Sequence, residues 1–205
     1  LVQYSTDYVF DGKKQTSYHE NDSPNPQSVY GATKLAGENN VVQSCKKHLI
    51  FRTSWVFGMH GNNFLKTILR LAAQQKNLRI VSDQTGVPTS AVLVATITAR
   101  ILNKLSDASP DEECWGLYHL TAKGKTSWYG YACYVISQAL SLGFTLTANP
   151  ETVIPLTTAD YPMSVNRPAN SCLDTEKICL YFDMDLPDWK IEVNKMLNSL
   201  LLQQR

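Results

Sequence analysis

The sequence predicts an α/β fold built around a largely parallel sheet, and three observations support this prediction. Short β-rich runs alternate with helical patterns of ten or more residues, as parallel strands joined by crossover helices require. The segments between them are polar and carry proline, glycine or aspartate turn signals. A chain of 205 residues is also long enough for one large domain or a domain and a half.

The first half of the chain begins with an apolar run that has the character of a buried strand end. Asp11-Gly12 then predicts a turn, and the polar stretch after it contains two prolines, which indicates a loop. The next segment has helical periodicity, and a short β-rich run and a second apolar helix pattern follow it. The predicted elements are a strand at 1–4, a loop at 13–27, a helix at 28–44, a strand at 48–53 and a helix at 63–75.

In the first of these helices, apolar residues recur at a spacing that predicts one buried stripe. Its members are Val29, Ala32, Leu35, Ala36 and Val42.

The second half repeats the alternation after a polar segment that marks a surface loop or a domain edge. A proline in this segment, Pro110, supports the loop assignment. Pro187 is well suited to the first turn of the last helix. The predicted elements are strands at 78–81, 117–120 and 151–156, helices at 90–105, 127–142 and about 187–202, and the polar loop at 106–113.

Composition and charge exclude several classes of function. The net charge is +1, so no basic field favours nucleic acid or an anionic membrane surface. No apolar run approaches the roughly 18 residues that span a bilayer. The five cysteines form no CxxC pair, and no histidine lies at a metal-ligand spacing from a cysteine or a carboxylate. The sequence therefore predicts a cytoplasmic protein with reduced thiols and no metal site.

Tyr30 and Lys34 lie four residues apart in the predicted helix 28–44. Because positions i and i+4 share a helix face, the phenol and the ammonium can reach the same cleft. A neighbouring ammonium stabilises a phenolate, which makes a tyrosine a usable proton donor and acceptor near neutral pH. Lysine can also hold a ribose hydroxyl with its remaining N–H groups. The alternative is a surface tyrosine beside a solvated lysine.

Ser5-Thr6-Asp7 comes directly after the first predicted strand. The carboxyl ends of parallel strands are where α/β sheets bind ligands. The Thr6 hydroxyl can bond a substrate oxygen beside the tyrosine or adjust the phenol. An ordinary turn, with Asp7 capping backbone amides, is the alternative. Taken together with the Tyr-x-x-x-Lys helix, these residues favour a catalytic site.

Five segments, in the same order along the chain, resemble the dTDP-4-dehydrorhamnose reductase family of the extended short-chain dehydrogenase/reductase superfamily. Tyr-x-x-x-Lys alone is typical of the whole superfamily, whereas the combination of segments is much more specific. The segments are STDYVFDG (5–12), YGATKLAGE (30–38), RTSWVFG (52–58), DQTGVPTS (83–90) and RPANSCLD (167–174), and LPDWK opens the last helix.

The resemblance implies a Rossmann-like doubly wound parallel sheet with a smaller C-terminal α/β substrate-binding domain. Residues 1–105 would form the C-terminal part of the NAD(P)-binding domain. Residues 106–205 would form mainly the nucleotide-sugar domain, with the last helix able to pack back on the first domain. No GxGxxG fingerprint occurs in the chain. We therefore expect the sheet to lack its first strands and the N-terminal part of the domain to precede Leu1.

The resemblance also implies a reaction, the reduction of the C4 ketone of dTDP-4-dehydro-β-L-rhamnose by NADPH or NADH. Tyr30 would donate the proton, Lys34 would be its electrostatic helper and a ribose ligand, and Thr6 would adjust the phenol. Cofactor contacts are expected from Tyr30, Lys34, Ser5 and Thr53.

Substrate contacts are implied at residues on several loops and strand ends. Trp55 could pack its ring on the sugar. For Asn63 the alternative is a helix start, and for Arg167 it is an ordinary salt bridge. Trp128 is interpreted as core and His119 as structural. The expected substrate contacts are Thr6, Asp7, Trp55, Asn63, Gln84, Thr89 and Arg167.

Two other functions stay open at this point. One is a nucleotide-sugar epimerase or dehydratase, although dehydratases carry an acidic residue after the aspartate and this chain has Tyr8 there. The other is a non-catalytic NADP-binding regulatory subunit of the methionine adenosyltransferase type. The sequence also leaves open whether the cofactor is NADPH or NADH, whether a divalent cation is needed and whether the protein forms a homodimer.

Overall fold

The computed structural model describes residues 1–107, 114–161 and 167–203. Within these ranges, strands and helices alternate, with short strands added around the loops. The strands are β1 (Val2–Thr6), β2 (Leu49–Thr53), β3 (Val56–Phe57), β4 (Leu78–Val81), β5 (Thr85–Gly86), β6 (Thr89–Ser90), β7 (Gly116–His119), β8 (Thr126–Ser127) and β9 (Val153–Leu156). The helices are α1 (Val29–Ser44), α2 (Phe64–Gln74), α3 (Ala91–Asp107), α4 (Trp128–Ser141), α5 (Glu176–Phe182) and α6 (Trp189–Gln203).

The main sheet is parallel and has the order β1-β2-β7 in the described residues. A second parallel pair joins β4 to β9, and β3 pairs with β6. The predicted α/β class with parallel strands is therefore confirmed. Two features are missing from the sequence-based assignment: the short helix α5 and the short strands β3, β5, β6 and β8. These elements are too short to show a hydrophobic period.

Strand pairing crosses the predicted domain boundary at residue 105 in both directions. β7 lies after this boundary and yet pairs with β2 in the main sheet, while β4 lies before it and pairs with β9. A single cut in the sequence therefore does not separate the two sheets. The reason is that parallel strands are joined by crossover connections, so the neighbour of a strand can lie far away in the sequence. Local composition does not show which strands become neighbours.

The two faces of the main sheet differ in chemistry. β2 is buried at all five positions, as expected for a parallel strand covered on both sides. Phe51 and Tyr118 lie side by side on the face that belongs to the large apolar core. Arg52 and His119 are paired on the other face. There the ring of Phe10 packs against the guanidinium of Arg52 and against the imidazole of His119. The polar face is therefore the one that looks toward the loop after β1.

The last helix, α6, packs against the beginning of α3. Glu192 of α6 accepts a hydrogen bond of 2.5 Å from the hydroxyl of Ser90, whose oxygen also accepts from the backbone N–H of Leu93 in α3. This contact joins the end of the chain to the segment before residue 105. In the described part of the chain no helix is both long and apolar enough to span a membrane.

The apolar stripe predicted for α1 is wrong. Val29 and Val42 are 81% and 55% exposed, and the buried positions of the helix are Gly31 and Glu38. A glycine allows close backbone approach, and a buried carboxylate requires polar partners. Helix α1 is therefore docked by a small residue and an ion pair rather than by an apolar face.

Candidate active site

The candidate site lies at the carboxyl ends of β1 and β2, where Thr6 is paired with Thr53. The Thr6 hydroxyl caps the following 3₁₀ turn by accepting a hydrogen bond of 3.2 Å from the backbone N–H of Tyr8, and it donates to Asp7 Oδ1 over 3.1 Å. Thr53 Oγ1 is buried and has no hydrogen-bond partner among the described residues. An unpartnered buried hydroxyl is unusual and is consistent with a ligand contact at this strand end.

Helix α1 brings Tyr30 and Lys34 to the same place. The ring of Tyr30 meets the ring of Tyr8 edge to face, with centroids 5.7 Å apart, and 54% of Tyr30 is exposed. Lys34 donates a hydrogen bond from Nζ to the backbone carbonyl of Tyr4 in β1. Since an ammonium has three N–H donors, Lys34 keeps donors for a further partner. The predicted Tyr–Lys pair therefore lies beside the strand end that carries Thr6.

Gly31 allows this close docking. A methyl group at Gly31 would lie 2.2 Å from the carbonyl oxygen of Tyr8 and 3.0 Å from Cβ of Pro26. Any larger side chain would push the first turn of α1 away from the strand end. The position of Tyr30 is therefore tied to the absence of a side chain at its neighbour.

We expect Gly31→Ala to lower the free energy of unfolding by about 1–3 kcal/mol, because the methyl group overpacks against backbone. Denaturant titration of the full-length protein measures this change. Gly37→Ala is the matched control in the same helix, since its methyl group would meet only the flexible amide end of Gln3. There we expect no loss, or a gain of up to about 1 kcal/mol from helix propensity. Equal effects of the two substitutions would contradict the close approach.

Asp7 is a buried carboxyl with an unusual environment. It is 4% exposed, and its Oδ2 has no hydrogen-bond partner in the residues that the structure describes. Burial raises the pKa of Asp7 to about 6, against the opposing effect of the hydroxyls of Ser171 and Thr6. A carboxyl that keeps its proton close to neutral pH can donate a hydrogen bond as well as accept one. Asp7 is thus suited to a hydroxyl-rich ligand.

The raised pKa gives Asp7 a testable effect on stability. The native carboxyl titrates at about 6, whereas the usual value is 3.8, so the stabilisation is present at low pH and is lost as the pH rises through 6. The side chain of the Asp7→Asn variant stays neutral. Relative to that variant, the wild type should lose about 3 kcal/mol of unfolding free energy between about pH 4 and pH 7. Denaturant titrations across this range measure the difference, and a constant difference would contradict the assignment.

The Ser5 hydroxyl is engaged within the protein. Its hydroxyl donates a hydrogen bond to Oε1 of Glu38, and Ser5 is 4% exposed. The residue therefore ties the strand to helix α1. Its predicted contact with a cofactor stays a prediction, and in this structure the hydroxyl donates to Glu38.

An aromatic stack begins just after the end of β2, where Trp55 follows Thr53 and Ser54. Trp55 has a backbone φ of 47°, a region that bulky residues rarely adopt, and its ring stacks on Trp128 with centroids 3.5 Å apart. Gly86 lies under the indole, where a methyl group would come within 2.4 Å of Trp55 Cε2. Arg167 places its guanidinium 6.0 Å from the ring centre of Trp128. The indole of Trp55 is thus fixed between the ring of Trp128 and the backbone at Gly86.

Beside this stack lies a cavity of about 490 Å³, whose lining includes Trp128 and Arg167. Gln84 is buried on its wall, and its amide donates to the hydroxyl of Thr158 over 3.1 Å. Half-buried Trp128 packs against the large apolar core, as interpreted from the sequence, and it also lines the cavity. A tryptophan in the first turn of a helix, close to a loop, is the signal that could have indicated this. The lining residues are Phe64, Thr67, Ile68, Leu71, Arg79, Ile80, Val81, Gln84, Trp128, Tyr161 and Arg167.

Two of the predicted substrate contacts have structural roles in the fold. Thr89 is fully buried, and its hydroxyl donates to the carbonyl of Val87 over 3.1 Å. Asn63 caps α2 by accepting from the backbone N–H of Lys66 and donates to the carbonyl of Gly58. Their polar groups are therefore engaged within the protein. A capping asparagine and a buried threonine look the same as ligand contacts in sequence.

His119, which is interpreted from the sequence as structural, lies in β7. It is fully buried, and its Nδ1 lies 3.2 Å from the carbonyl of Asp174. Burial and the neighbouring positive charge of Arg52 lower the pKa of His119 to about 3. The described residues contain no cluster of histidine, cysteine and carboxylate side chains that could hold a metal ion. The five cysteines are free.

The parallel sheet and the Tyr-x-x-x-Lys helix at its carboxyl ends define a Rossmann-like protein of the extended short-chain dehydrogenase/reductase type. The chain belongs to the RmlD substrate binding domain family, whose model matches residues 1–202. It is 46% identical over 200 residues to dTDP-4-dehydrorhamnose reductases of Shigella flexneri and Escherichia coli K12. The match covers 98% of this chain and 65% of each relative, so the chain spans about two thirds of their length.

Solved structures lead to the same family. A dTDP-4-dehydrorhamnose reductase from Clostridium acetobutylicum is 35% identical with a TM-score of 0.86, over 98% of this chain and 65% of that one. A reductase of the same name from Bacillus anthracis, solved in complex with NADP, is 32% identical with a TM-score of 0.82, over 97% and 65%. A UDP-N-acetylglucosamine 4-epimerase from Bacillus cereus, at 19% identity and a TM-score of 0.72, shares the fold.

Proposed function

We propose that the protein containing this chain reduces the C4 ketone of dTDP-4-dehydro-β-L-rhamnose to dTDP-L-rhamnose with NADPH or NADH. The observation that carries the proposal is the placement of Tyr30 and Lys34 beside Thr6 at the carboxyl end of the parallel sheet. Relatives that are named for this reaction support the choice of substrate.

The residues present fit a nicotinamide cofactor. Thr53 Oγ1 is a buried oxygen without a partner, and Lys34 has N–H donors beyond its single bond to the Tyr4 carbonyl. Lys34 and Thr53 would hold the ribose and nicotinamide end, with Tyr30 beside them. When bound, the reduced cofactor supplies the hydride that the ketone carbon accepts.

Tyr30 supplies the proton in this proposal. As the ketone carbon gains its new hydrogen, its oxygen develops negative charge, and the phenol of Tyr30 transfers its proton to that oxygen. Lys34 stabilises the resulting phenolate through its positive charge. Thr6 fixes the site by bonding Asp7 and the turn that carries Tyr8. The atoms balance as one ketone, one hydride and one proton giving one alcohol.

The substrate side of the site would use the aromatic stack and the cavity. We expect Trp55 and Trp128 to pack on the sugar and Asp7 to bond its hydroxyls. Arg167 is exposed at the cavity edge and can contact a diphosphate, and Gln84 can bond the nucleotide with its oxygen. Asn63 and Thr89 would act here by shaping the loops. We propose a cytoplasmic enzyme, and a homodimer is compatible with this reading.

The test is the oxidation of NADPH and of NADH by the full-length protein, followed by the loss of reduced-nicotinamide absorbance. Oxidation that requires the ketosugar supports the reductase, and the faster cofactor identifies the preference. Conversion of a nucleotide sugar without net oxidation would indicate an epimerase or a dehydratase instead. Cofactor binding without any conversion would contradict an enzyme and indicate the regulatory function.

A further inference from the structure

Helix α1, which the structure describes completely, buries only two of its residues. Its buried residues are Gly31 in the first turn and Glu38 in the middle, whereas Val29 and Val42 are exposed. Apolar contacts are non-directional and tolerate small shifts. The two buried positions of the helix that carries Tyr30 are therefore a close backbone approach at Gly31 and a polar contact at Glu38, and they add to the Lys34 hydrogen bond and partly buried Leu35.

The polar contact is a buried ion pair. Glu38 accepts hydrogen bonds from Arg52 through both oxygens, with Nε at 2.9 Å from Oε1 and Nη2 at 2.6 Å from Oε2. The side chains of Arg52 and Glu38 are 3% and 4% exposed. Ser5 donates a further hydrogen bond to Oε1. The carboxylate of α1 is thus joined to β1 through Ser5 and to β2 through Arg52.

Arg52 is itself fixed by its surroundings. Its guanidinium lies 5.0 Å from the ring centre of Phe10, and Phe10 stacks on Tyr18 with centroids 4.2 Å apart. A planar guanidinium that is bidentate on one side and covered by a ring cannot move without losing both contacts. The ion pair therefore has one defined geometry.

Each member of this network is next to a site residue. Ser5 precedes Thr6 in β1, and Arg52 precedes Thr53 in β2. Glu38 follows Lys34 by four residues in α1, so both lie on the same side of the helix. The network thus connects, from beneath, the three elements that form the candidate site.

We propose that Glu38 is a positioning residue, which acts through Arg52 and Ser5 to fix helix α1 against β1 and β2. Its effect on turnover rests on the proposed reductase function, whereas its effect on the helix does not. A bidentate ion pair is directional, so it sets the distance of Tyr30 and Lys34 from Thr6. A buried ion pair of this kind adds little net stability compared with an apolar contact, which fits a role in geometry.

The test compares Glu38→Gln with Glu192→Gln in the full-length protein. Glutamine keeps the size of the side chain but presents an N–H₂ group to the Arg52 donors, which breaks the bidentate bond. Glu192 is the matched control, because it is also a buried carboxylate, 4% exposed, bonded to Ser90 at 2.5 Å and to Lys195 at 2.7 Å. It lies on α6 and has no contact with the Glu38 network.

Two measurements are made on each variant: steady-state kinetics and amide hydrogen exchange of residues 29–37. For Glu38→Gln we expect kcat to fall about 10- to 100-fold with the KM of the ketosugar nearly unchanged, since the misplaced Tyr30 loses turnover rather than substrate affinity. We also expect faster exchange at residues 29–37. For Glu192→Gln we expect neither change.

Wild-type exchange at residues 29–37 in Glu38→Gln would overturn the proposal, whatever the kinetics. A lower melting temperature with unchanged kcat and unchanged exchange would show a merely structural role and would overturn it as well. If the wild type reduces no ketosugar, the proposed function fails, and the exchange measurement still decides the positioning. Should Glu38→Gln not fold, Arg52→Lys takes its place, because lysine keeps the charge and loses the bidentate geometry.

Discussion

Tyr30→Phe should lower the turnover of the full-length protein by about 10²- to 10⁴-fold, the range of general acid catalysis. The substitution removes only the hydroxyl, so the ring contact with Tyr8 at 5.7 Å is retained. Lys34 and Thr53 are untouched, and we therefore expect the dissociation constant of NADPH to stay close to that of the wild type. Steady-state kinetics with the ketosugar and a fluorescence titration of NADPH measure the two quantities.

Tyr181→Phe is the control for this experiment. Tyr181 is a tyrosine of similar exposure, 49% against 54% for Tyr30, and it lies on α5. We expect it to leave turnover unchanged. If Tyr30→Phe also turns over at the wild-type rate, the phenol has no part in the proton transfer. If the Tyr30→Phe variant loses NADPH affinity in proportion to turnover, the main role of Tyr30 is to bind the cofactor.

The contribution of His119 to stability should be strongly sensitive to acid. Its folded pKa is about 3 and its usual value 6.5, because burial and the charge of Arg52 disfavour the imidazolium. A depressed pKa means that the stabilisation is present above pH 6.5 and is lost as the pH falls toward 3. The unfolded chain takes up the proton that the native state excludes. The full effect is about 5 kcal/mol, the largest that we expect from a single side chain here.

His119→Asn isolates this contribution, since its amide N–H can still donate toward the carbonyl of Asp174 and stays neutral at every pH. The unfolding free energy of the wild type, relative to this variant, should fall as the pH is lowered from about 7 to about 4. Denaturant titrations across that range measure it, with the exposed His60→Asn as control. Parallel pH curves for wild type and His119→Asn would show that another group causes the acid sensitivity.

The effects of His119 and Asp7 on stability have opposite signs. As the pH falls, the first destabilises the fold and the second, with its pKa of about 6, stabilises it. The Asp7→Asn and His119→Asn variants each remove one contribution to the slope of unfolding free energy against pH, so the two contributions can be separated. The protein as a whole should therefore show a flatter pH dependence than either group alone would give.

The sequence by itself determined the α/β class, the order of the long elements and the Tyr30–Lys34 pair near Thr6. These features depend on local patterns: a hydrophobic period, a turn signal or a spacing of four residues along a helix. Such patterns are set by neighbours in the chain. They do not depend on which distant segment packs against them, and the fold retains them.

Only the tertiary structure decided which side of each element is buried and which polar groups are engaged. Helix α1 buries Glu38 rather than its apolar stripe because Arg52 of β2 lies opposite it. Thr89 is fully buried in the fold. Trp128 stacks on Trp55 at the wall of the cavity. The physical reason is that burial and hydrogen bonding are properties of pairs of segments distant in sequence, so they exist only once the chain has packed.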